Sequence, residues 1–151
     1  MQVKIITDSC CDLPLHFVEA NHDLLEVLGM PIQLQGKEII DDLGKTFDRL
    51  TFYNLLRQGV MPTTSQINAY RFETAFKEAL EQGFSVLYVG FSSGLSGTFN
   101  SANIALNLIR DEMPDAPICL VDTLSASIGQ GTIVVEVIKR ARMGQSHIEI
   151  A

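Results

Sequence analysis

Three short apolar runs, each followed by a polar turn and then by a helix-like pattern, constrain the fold of this chain more than any other feature. The runs cover residues 3–7, 86–89 and 118–121. Each has the length of a buried strand, and helical spacing of apolar residues resumes after the turn. Alternating strands and helices favour a mostly parallel sheet covered by helices on both faces. We therefore predict an α/β protein with a three-layer α/β/α architecture.

The remaining elements are predicted from the same signals, the helical spacing of apolar residues and short strand-like runs. Apolar residues spaced three and four apart predict helices, which we place at residues 14–21, 51–58, 68–82 and 98–113, in a segment through 133–138 that ends before Gly144, and in a last segment at 146–151. Strand-like segments lie at 24–27 and 31–34, and a hairpin turn at 36–38 leads into Ile39 and Ile40. Ligand sites in such folds lie at the carboxyl ends of the strands, where all three polar turns are expected.

Composition narrows the class of protein. The chain has 151 residues, of which 46% are hydrophobic, enough for one domain with a sizeable core. Its net charge of −7, without any Lys/Arg cluster, disfavours a nucleic acid or an anionic membrane as partner. No signal peptide and no bilayer-length apolar stretch is visible, so we expect a cytoplasmic protein without stable membrane insertion. Three cysteines, two of them adjacent, are expected to be reduced.

Two hydroxyl-rich turns carry most of the functional information: the PTTSQ segment (residues 62–66) and the SSGLSGT segment (residues 92–98). Each is expected to lie where a helix begins. Hydroxyl side chains and unpaired backbone N–H groups at a helix N-terminus suit an anionic head group such as a carboxylate or a phosphate. Because neither segment contains an acid, a base or a metal ligand, the pattern favours binding of an anion over chemistry upon it. We predict no metal site.

Simpler and competing interpretations stay open at this stage. Thr64 or Ser65 could be an ordinary N-cap, and the SSGLSGT segment could be a plain loop. A serine hydrolase using Ser93 or Ser96, or a phosphotransferase-like enzyme using the turn at 92–98, is the alternative function. The turn lacks the lysine of a nucleotide-binding loop and the proper spacing of a nucleophile elbow, and the three histidines are isolated in the sequence.

The order of four motifs resembles the DegV family. These are Thr7-Asp8-Ser9 with 12–14, the PTTSQ segment, the SSGLSGT segment, and Asp122 with 125–131. The resemblance covers the whole chain and implies a Rossmann-like DegV N-terminal domain. Members of this family continue into a second domain, so residues 1–151 are expected to be truncated before it.

The resemblance also implies a function. DegV proteins are non-catalytic fatty-acid-binding proteins, and some present the bound acyl carboxylate to the catalytic subunit of a fatty acid kinase. Carried over by motif, Thr64 and Ser96 hold the carboxylate of a long-chain fatty acid, supported by Ser65, Ser93 and Gly97. The fatty acid is a ligand, and no cofactor is expected.

Overall fold

The computed structural model describes residues 1–46 and 48–151, and it contains two β-sheets with helices around the larger one. The strands are β1 (Val3–Asp8), β2 (Leu25–Leu28), β3 (Pro31–Leu34), β4 (Lys37–Ile40), β5 (Thr63–Thr64), β6 (Ser85–Gly90) and β7 (Ile118–Asp122). The helices are α1 (Leu15–Ala20), α2 (Arg49–Arg57), α3 (Ala69–Glu81), α4 (Thr98–Glu112), α5 (Ile128–Arg142) and α6 (His147–Ile150). A 3₁₀ turn, Ser9–Cys11, follows β1.

The larger sheet is parallel throughout, in the order β2-β1-β6-β7. Side chains on a strand alternate between the two faces of a sheet, and both faces of this sheet are buried. Ile6 and Tyr88 pack against α3 and α4, whereas Ile5 and Leu87 pack against α5. The predicted α/β fold with a mostly parallel central sheet and helices on both faces is confirmed.

Aromatic packing fixes α3 on the sheet. The rings of Phe72 and Tyr88 meet edge to face with their centroids 4.9 Å apart, and both side chains are fully buried. The helix begins after Asn68, whose side chain accepts a hydrogen bond from the Arg71 N–H, and it is followed by Gly83 in the left-handed region. These are the limits that the sequence pattern predicts.

The smaller sheet is antiparallel, in the order β4-β3-β5. Its hairpin turns at Gln35 and Gly36, which both have positive φ, the geometry of a tight two-residue turn. Strand β4 therefore begins at Lys37, two residues before the predicted start. This sheet as a separate unit was not predicted, because local periodicity does not reveal which strands pair.

The expectation that a helix begins at the PTTSQ segment is wrong. Thr63 and Thr64 form strand β5, which pairs with β3, and Asn68 rather than Thr64 or Ser65 caps the following helix. Threonine is β-branched and suits an extended strand as well as a cap, so its presence alone does not decide between them. The N-cap interpretation of Thr64 and Ser65 is thereby excluded.

Candidate ligand-binding site

The three polar turns meet at the carboxyl edge of the parallel sheet, as expected for parallel strands. Two hydrogen bonds connect the SSGLSGT segment after β6 to the end of β7 and to the turn at residues 123–127 that follows it. The Ser92 N–H donates to the Ser125 carbonyl at 3.0 Å, and the Ser93 N–H donates to the Asp122 carboxylate at 3.2 Å. The third turn therefore holds the start of the SSGLSGT segment in place.

Asp122 organises both of these turns. Besides Ser93, it accepts a hydrogen bond from the Leu124 N–H at 3.1 Å. Partial burial on its own raises the pKa of Asp122, but the hydrogen bonds from Ser93 and Leu124 outweigh burial and hold the pKa below its usual range. Asp122 is thus an ionised turn residue whose Oδ1 accepts hydrogen bonds from both turns.

The SSGLSGT segment leads directly into α4, as predicted. The Ser96 hydroxyl accepts a hydrogen bond from the Thr98 N–H at 3.2 Å and lies 3.0 Å from the Thr98 hydroxyl. Gly97 is the N-cap residue and gives the helix no side-chain cap. The first hydrogen bond that closes a helical turn runs from the Ser101 N–H to the Gly97 carbonyl, so N–H groups of the first turn are available to an anion.

The PTTSQ segment presents its hydroxyls to solvent. Thr63, Thr64 and Ser65 are all exposed, and the Ser65 N–H anchors the segment by donating to the Pro31 carbonyl at 3.2 Å. Within the described part of the chain, the Thr64 hydroxyl has no hydrogen-bond partner. The segment is therefore fixed through its backbone while this side chain is available to a ligand.

The two hydroxyl segments are packed together at the N-terminus of α4. The Gln66 amide donates to the Ser101 hydroxyl at 3.2 Å, and the Ile67 N–H donates to the Thr98 hydroxyl at 3.4 Å. Gln66 also lies so close to Gly97 that a Cβ at that glycine would be 1.9 Å from the Gln66 Oε1. A side chain at Gly97 would therefore displace Gln66, and the structure brings the PTTSQ segment alongside the SSGLSGT segment.

A buried carboxylate, that of Asp8, is hydrogen-bonded to several elements at the same edge of the sheet. Asp8 is fully buried and accepts four hydrogen bonds, from the N–H groups of Cys10 and Phe91, the Tyr88 hydroxyl and the Gln130 amide, at 2.9 to 3.2 Å. Burial, together with this carboxylate, raises the pKa of Tyr88 well above its usual range, so the phenol remains a donor. Asp8 thereby connects β1, β6 and α5 just below the SSGLSGT segment.

Burial disfavours ionisation of the two cysteines near this edge, Cys10 and Cys11. All three cysteines of the chain are free, and burial raises the pKa of Cys10 and Cys11 to about 12, with the Asp8 carboxylate adding to the shift in both. A thiol with so high a pKa carries almost no thiolate at neutral pH and is a poor nucleophile.

Among the described residues, the group that is hydrogen-bonded to Ser93 is the Asp122 carboxylate, whose pKa is held below its usual range by these bonds, so it is a weak base. His16 lies on α1, His22 follows that helix, and His147 begins α6. In the described residues, none of these histidines is hydrogen-bonded to Ser93 or Ser96. Activation of a serine nucleophile requires such a base, so the hydrolase alternative gains no support from the geometry.

The described residues offer neither a cluster of metal ligands nor a helix that could span a membrane. No group of three or more histidine, cysteine or acidic side chains in residues 1–46 and 48–151 is suited to hold a metal ion. Over the same residues, none of the helices combines the length and apolar character needed to cross a bilayer.

The five predicted site residues occupy two neighbouring surfaces. Ser93, Ser96 and Gly97 lie together on the SSGLSGT segment, and Thr64 and Ser65 lie on the PTTSQ segment. The contacts that join these surfaces, made by Gln66, were not predicted, because the sequence contains no signal that pairs residues 35 positions apart.

Comparison with known proteins identifies the family. The family model described as "Uncharacterised protein, DegV family" matches residues 2–151. The chain belongs to the DegV family. Among curated DegV relatives, the DegV domain-containing protein CPE0026 of Clostridium perfringens is 44% identical over 147 residues, which is 97% of this chain and 50% of the relative. YteA of Lactococcus lactis is 39% identical over 150 residues, covering 99% of this chain and 51% of that protein.

Solved structures of similar proteins share the fold. The fatty-acid-binding DegV family protein from Thermus thermophilus superposes with a TM-score of 0.84 at 30% identity, covering 99% of this chain and 51% of its own. A stearic-acid-binding protein from Eubacterium ventriosum gives a TM-score of 0.85 at 26% identity, covering 98% and 50%. Both of these similar proteins are thus fatty-acid-binding proteins, and the chain spans about half the length of the relatives it matches.

Proposed function

We propose that this DegV chain takes part in binding a long-chain fatty acid, whose carboxylate is held between Thr64 and Ser96. The observation that carries the proposal is the packing of the PTTSQ segment against the start of α4, through Gln66 and Gly97. It places an exposed hydroxyl segment next to a helix N-terminus. Similar DegV proteins that bind fatty acids support the choice of ligand.

The physical basis is a set of charge-assisted hydrogen bonds. A carboxylate that accepts from hydroxyls and backbone N–H groups forms bonds roughly twice as strong as neutral ones. Thr64 supplies an unoccupied hydroxyl, and the Ser96 hydroxyl can donate to a ligand while still accepting from the Thr98 N–H. In the proposal Ser65, Ser93 and Gly97 surround these two and shape the approach of the head group.

The acyl tail provides most of the affinity in this proposal. Burial of each CH₂ contributes about 0.8 kcal/mol, so a long chain outweighs its head group. Leu95 in the SSGLSGT segment and Leu124 in the third turn are 68% and 75% exposed, and they offer apolar surface at the same edge of the sheet. Because Thr64, Ser93 and Gly97 are exposed as well, this surface is open, and additional walls are needed to enclose a tail.

We infer that a second half of the protein, like that of the longer relatives, provides the walls that enclose the acyl tail. In this proposal residues 1–151 act as an N-terminal α/β domain, and the complete lipid-binding unit works in the cytoplasm as a non-catalytic carrier. Its partner is a kinase catalytic subunit that phosphorylates the presented carboxylate. The carrier itself supplies the hydrogen bonds that orient the carboxylate and performs no phosphate transfer.

The site is tested with Thr64→Ala combined with Ser96→Ala. We expect the double variant to lose bound palmitate, with an affinity reduced at least about tenfold for each lost charge-assisted bond, as measured by native mass spectrometry and lipid titration. Thr63→Ala is the matched control, because neighbouring residues of a strand face opposite sides and Thr63 points away from Thr64.

Three outcomes contradict parts of the proposal. Unchanged palmitate binding in the double variant excludes the assigned hydroxyls. Covalent labelling of Ser93 or Ser96 by a fluorophosphonate favours a hydrolase instead. Equal palmitate retention by this chain and by the longer Clostridium perfringens relative excludes a contribution from the second half.

A further inference from the structure

The two edges of the parallel sheet differ in their protection. Strands β2 and β7 lie at these edges, and an edge strand presents unpaired N–H and C=O groups that can pair with another chain. Charged side chains and prolines within an edge strand oppose such pairing. Strand β2 contains Glu26, whereas β7 consists of Ile-Cys-Leu-Val and meets its first charge only at its last residue, Asp122. The β7 edge is therefore the less protected one.

The backbone groups of β7 that point away from the sheet follow from the hydrogen bonds at its two ends. The Pro117 carbonyl, just before β7, accepts from β6 at 2.8 Å, and the Thr123 N–H, just after β7, donates to β6 at 3.2 Å. Alternate residues of a strand direct their backbone groups to the same side. Odd-numbered residues of β7 thus pair with β6, and the even-numbered ones, with Leu120 at their centre, face outward.

The start of this outward edge is occupied, whereas its centre is open. The Ile118 N–H donates to the Ala116 carbonyl at 2.8 Å, and the Ile118 carbonyl accepts from the Arg110 guanidinium at 3.4 Å. Within the described part of the chain, no strand or side chain pairs with the backbone N–H and carbonyl of Leu120. The centre of β7 therefore offers one donor and one acceptor to a further strand.

The two ends of the edge carry opposite charges. Arg110 lies at the start of β7, and it forms no ion pair with any described residue. At the other end, Asp122 accepts two hydrogen bonds with Oδ1, while no described residue donates to its Oδ2. Asp122 lies on the same face of the sheet as Leu120, which packs in the core beneath α4, the helix that carries Arg110. Both charges are thus on the α4 side of the edge.

We propose that a second copy of this chain pairs with β7 in antiparallel orientation, around a twofold axis at Leu120. The N–H and carbonyl of Leu120 then exchange hydrogen bonds with those of Leu120 in the other copy. The same register places Ile118 opposite Asp122 of the other copy, so Arg110 lies beside that carboxylate. The symmetry forms each contact twice, and the two parallel sheets become one continuous sheet.

The charges favour a second copy over an unrelated strand. Any extended segment could use the open groups of Leu120, but the ends of the edge fit a strand with a cation at its start and an acid at its end, in antiparallel orientation. Strand β7 itself, with Arg110 and Asp122, is such a strand, and its parallel pairing would place like charges together. The net charge of −7 acts over a longer range and is screened within about 8 Å.

Sedimentation and hydrogen exchange of this chain over a series of concentrations test the dimer. We expect a monomer–dimer equilibrium in which the Leu120 and Asp122 amides become protected as the concentration rises, because both face outward in the monomer. The Cys119 and Val121 amides are the internal control, since they are paired with β6 in both states.

The charge complementarity is tested with Arg110→Glu. We expect the dissociation constant of the dimer to rise at least about tenfold, because repulsion replaces attraction at two places in each dimer. Arg110→Lys keeps the charge and is expected to dimerise like the wild type. Arg57→Glu is the matched control, because it changes the net charge equally in the last turn of another helix, α2, beside the smaller sheet.

The backbone pairing is tested with Leu120→Pro. Proline removes the outward N–H and leaves the hydrogen bonds to β6 in place, so we expect a folded monomer, verified by circular dichroism. Palmitate binding is expected to persist in Arg110→Glu, because Arg110 lies in the last turn of α4 and the SSGLSGT segment precedes its first turn. The dimer does not rest on the proposed function, and absence of palmitate binding by the wild type contradicts only that function.

Three results would overturn the assignment. A wild-type chain that stays monomeric into the millimolar range excludes the dimer. Dimerisation of Arg110→Glu with the dissociation constant of Arg57→Glu excludes the proposed ion pairs. Concentration-dependent protection of the Leu25 and Val27 amides of β2, without protection of Leu120, assigns the contact to the other edge of the sheet.

Discussion

Asp8 is the residue on which the geometry of the candidate site most directly depends. A carboxylate without access to water is costly unless its oxygens are satisfied, and here four donors satisfy them, from β6, the residue after β6, α5 and the 3₁₀ turn. One of these donors is the Phe91 N–H, which immediately precedes the SSGLSGT segment. The hydrogen bonds of Asp8 therefore hold in position the residue that leads into the SSGLSGT segment.

Asp8→Asn is expected to lower the free energy of unfolding by about 2 to 4 kcal/mol. An amide can accept with only one of its two terminal atoms, so its NH₂ group faces donors of the original network and leaves them unpaired. Urea unfolding measures the loss.

Asp122→Asn is the control for this prediction. Its carboxylate is only partly buried, so we expect a cost below about 1 kcal/mol. Equal effects of the two substitutions, or none for Asp8→Asn, contradict the central role of the buried network.

At the scale of elements, the candidate site depends on the junction between the PTTSQ segment and α4. Strand β5 is only two residues long, and it depends on β3 on one side and on the start of α4 on the other. The Gln66 side chain donates a hydrogen bond to Ser101 of α4 and packs against the backbone of Gly97. A side chain at Gly97 must therefore displace Gln66.

Gly97→Ala is expected to weaken palmitate binding about tenfold while changing stability by less than about 1 kcal/mol. The new methyl group meets the end of a flexible side chain, so Gln66 swings away at little cost to folding, but the two hydroxyl segments separate. Lipid titration and thermal unfolding of the same samples distinguish the two effects.

Gly94→Ala provides the comparison in the same segment. A Cβ at Gly94 would meet only the Ser92 hydroxyl, at an ordinary distance of 3.5 Å, so palmitate binding should be preserved. If both alanine variants bind palmitate equally, close packing at Gly97 does not determine the site.

Predictions from sequence were successful where the information is local. The period of apolar residues located α3 and α4 nearly to the residue, and the end of α3 follows from Gly83, which favours positive φ. The SSGLSGT segment was correctly placed between a strand and a helix. These features depend on neighbours within a few positions along the chain.

Features that depend on distant pairing were not accessible in this way. Thr63 and Thr64 are equally compatible with a cap and a strand, and pairing with β3 decides between them. The contact of Gln66 with Ser101 spans 35 positions, and Gln130 reaches Asp8 across 122 positions. Tertiary packing selects such contacts, and a single sequence carries no local trace of them.

At the scale of the whole molecule, the two residues proposed to bind the carboxylate are positioned by different sheets. Thr64 lies on the antiparallel sheet, whereas Ser96 follows β6 of the parallel sheet. A fatty acid held by both hydroxyls would therefore link the two sheets. Binding of this kind restrains the smaller sheet as a unit, in addition to the residues that touch the ligand.

Hydrogen exchange tests this link. At a saturating concentration of palmitate, backbone amides of β3 and β4 are expected to exchange about tenfold more slowly, although β4 carries no proposed ligand residue. Amides of α6 serve as the internal control and should be unaffected. Protection confined to the SSGLSGT segment would show that the ligand does not connect the sheets.

Because the two hydroxyls lie on different parts of the fold, the distance between them depends on how the smaller sheet packs against α4. The Thr98 hydroxyl at the start of α4 contacts the sulfur of Met30, which directly precedes β3, at 3.8 Å. The volume of this buried side chain thus helps set how far the smaller sheet stands from α4. We therefore expect the size of residue 30 to alter head-group selectivity from the interior of the protein, while every residue proposed to meet the ligand stays the same.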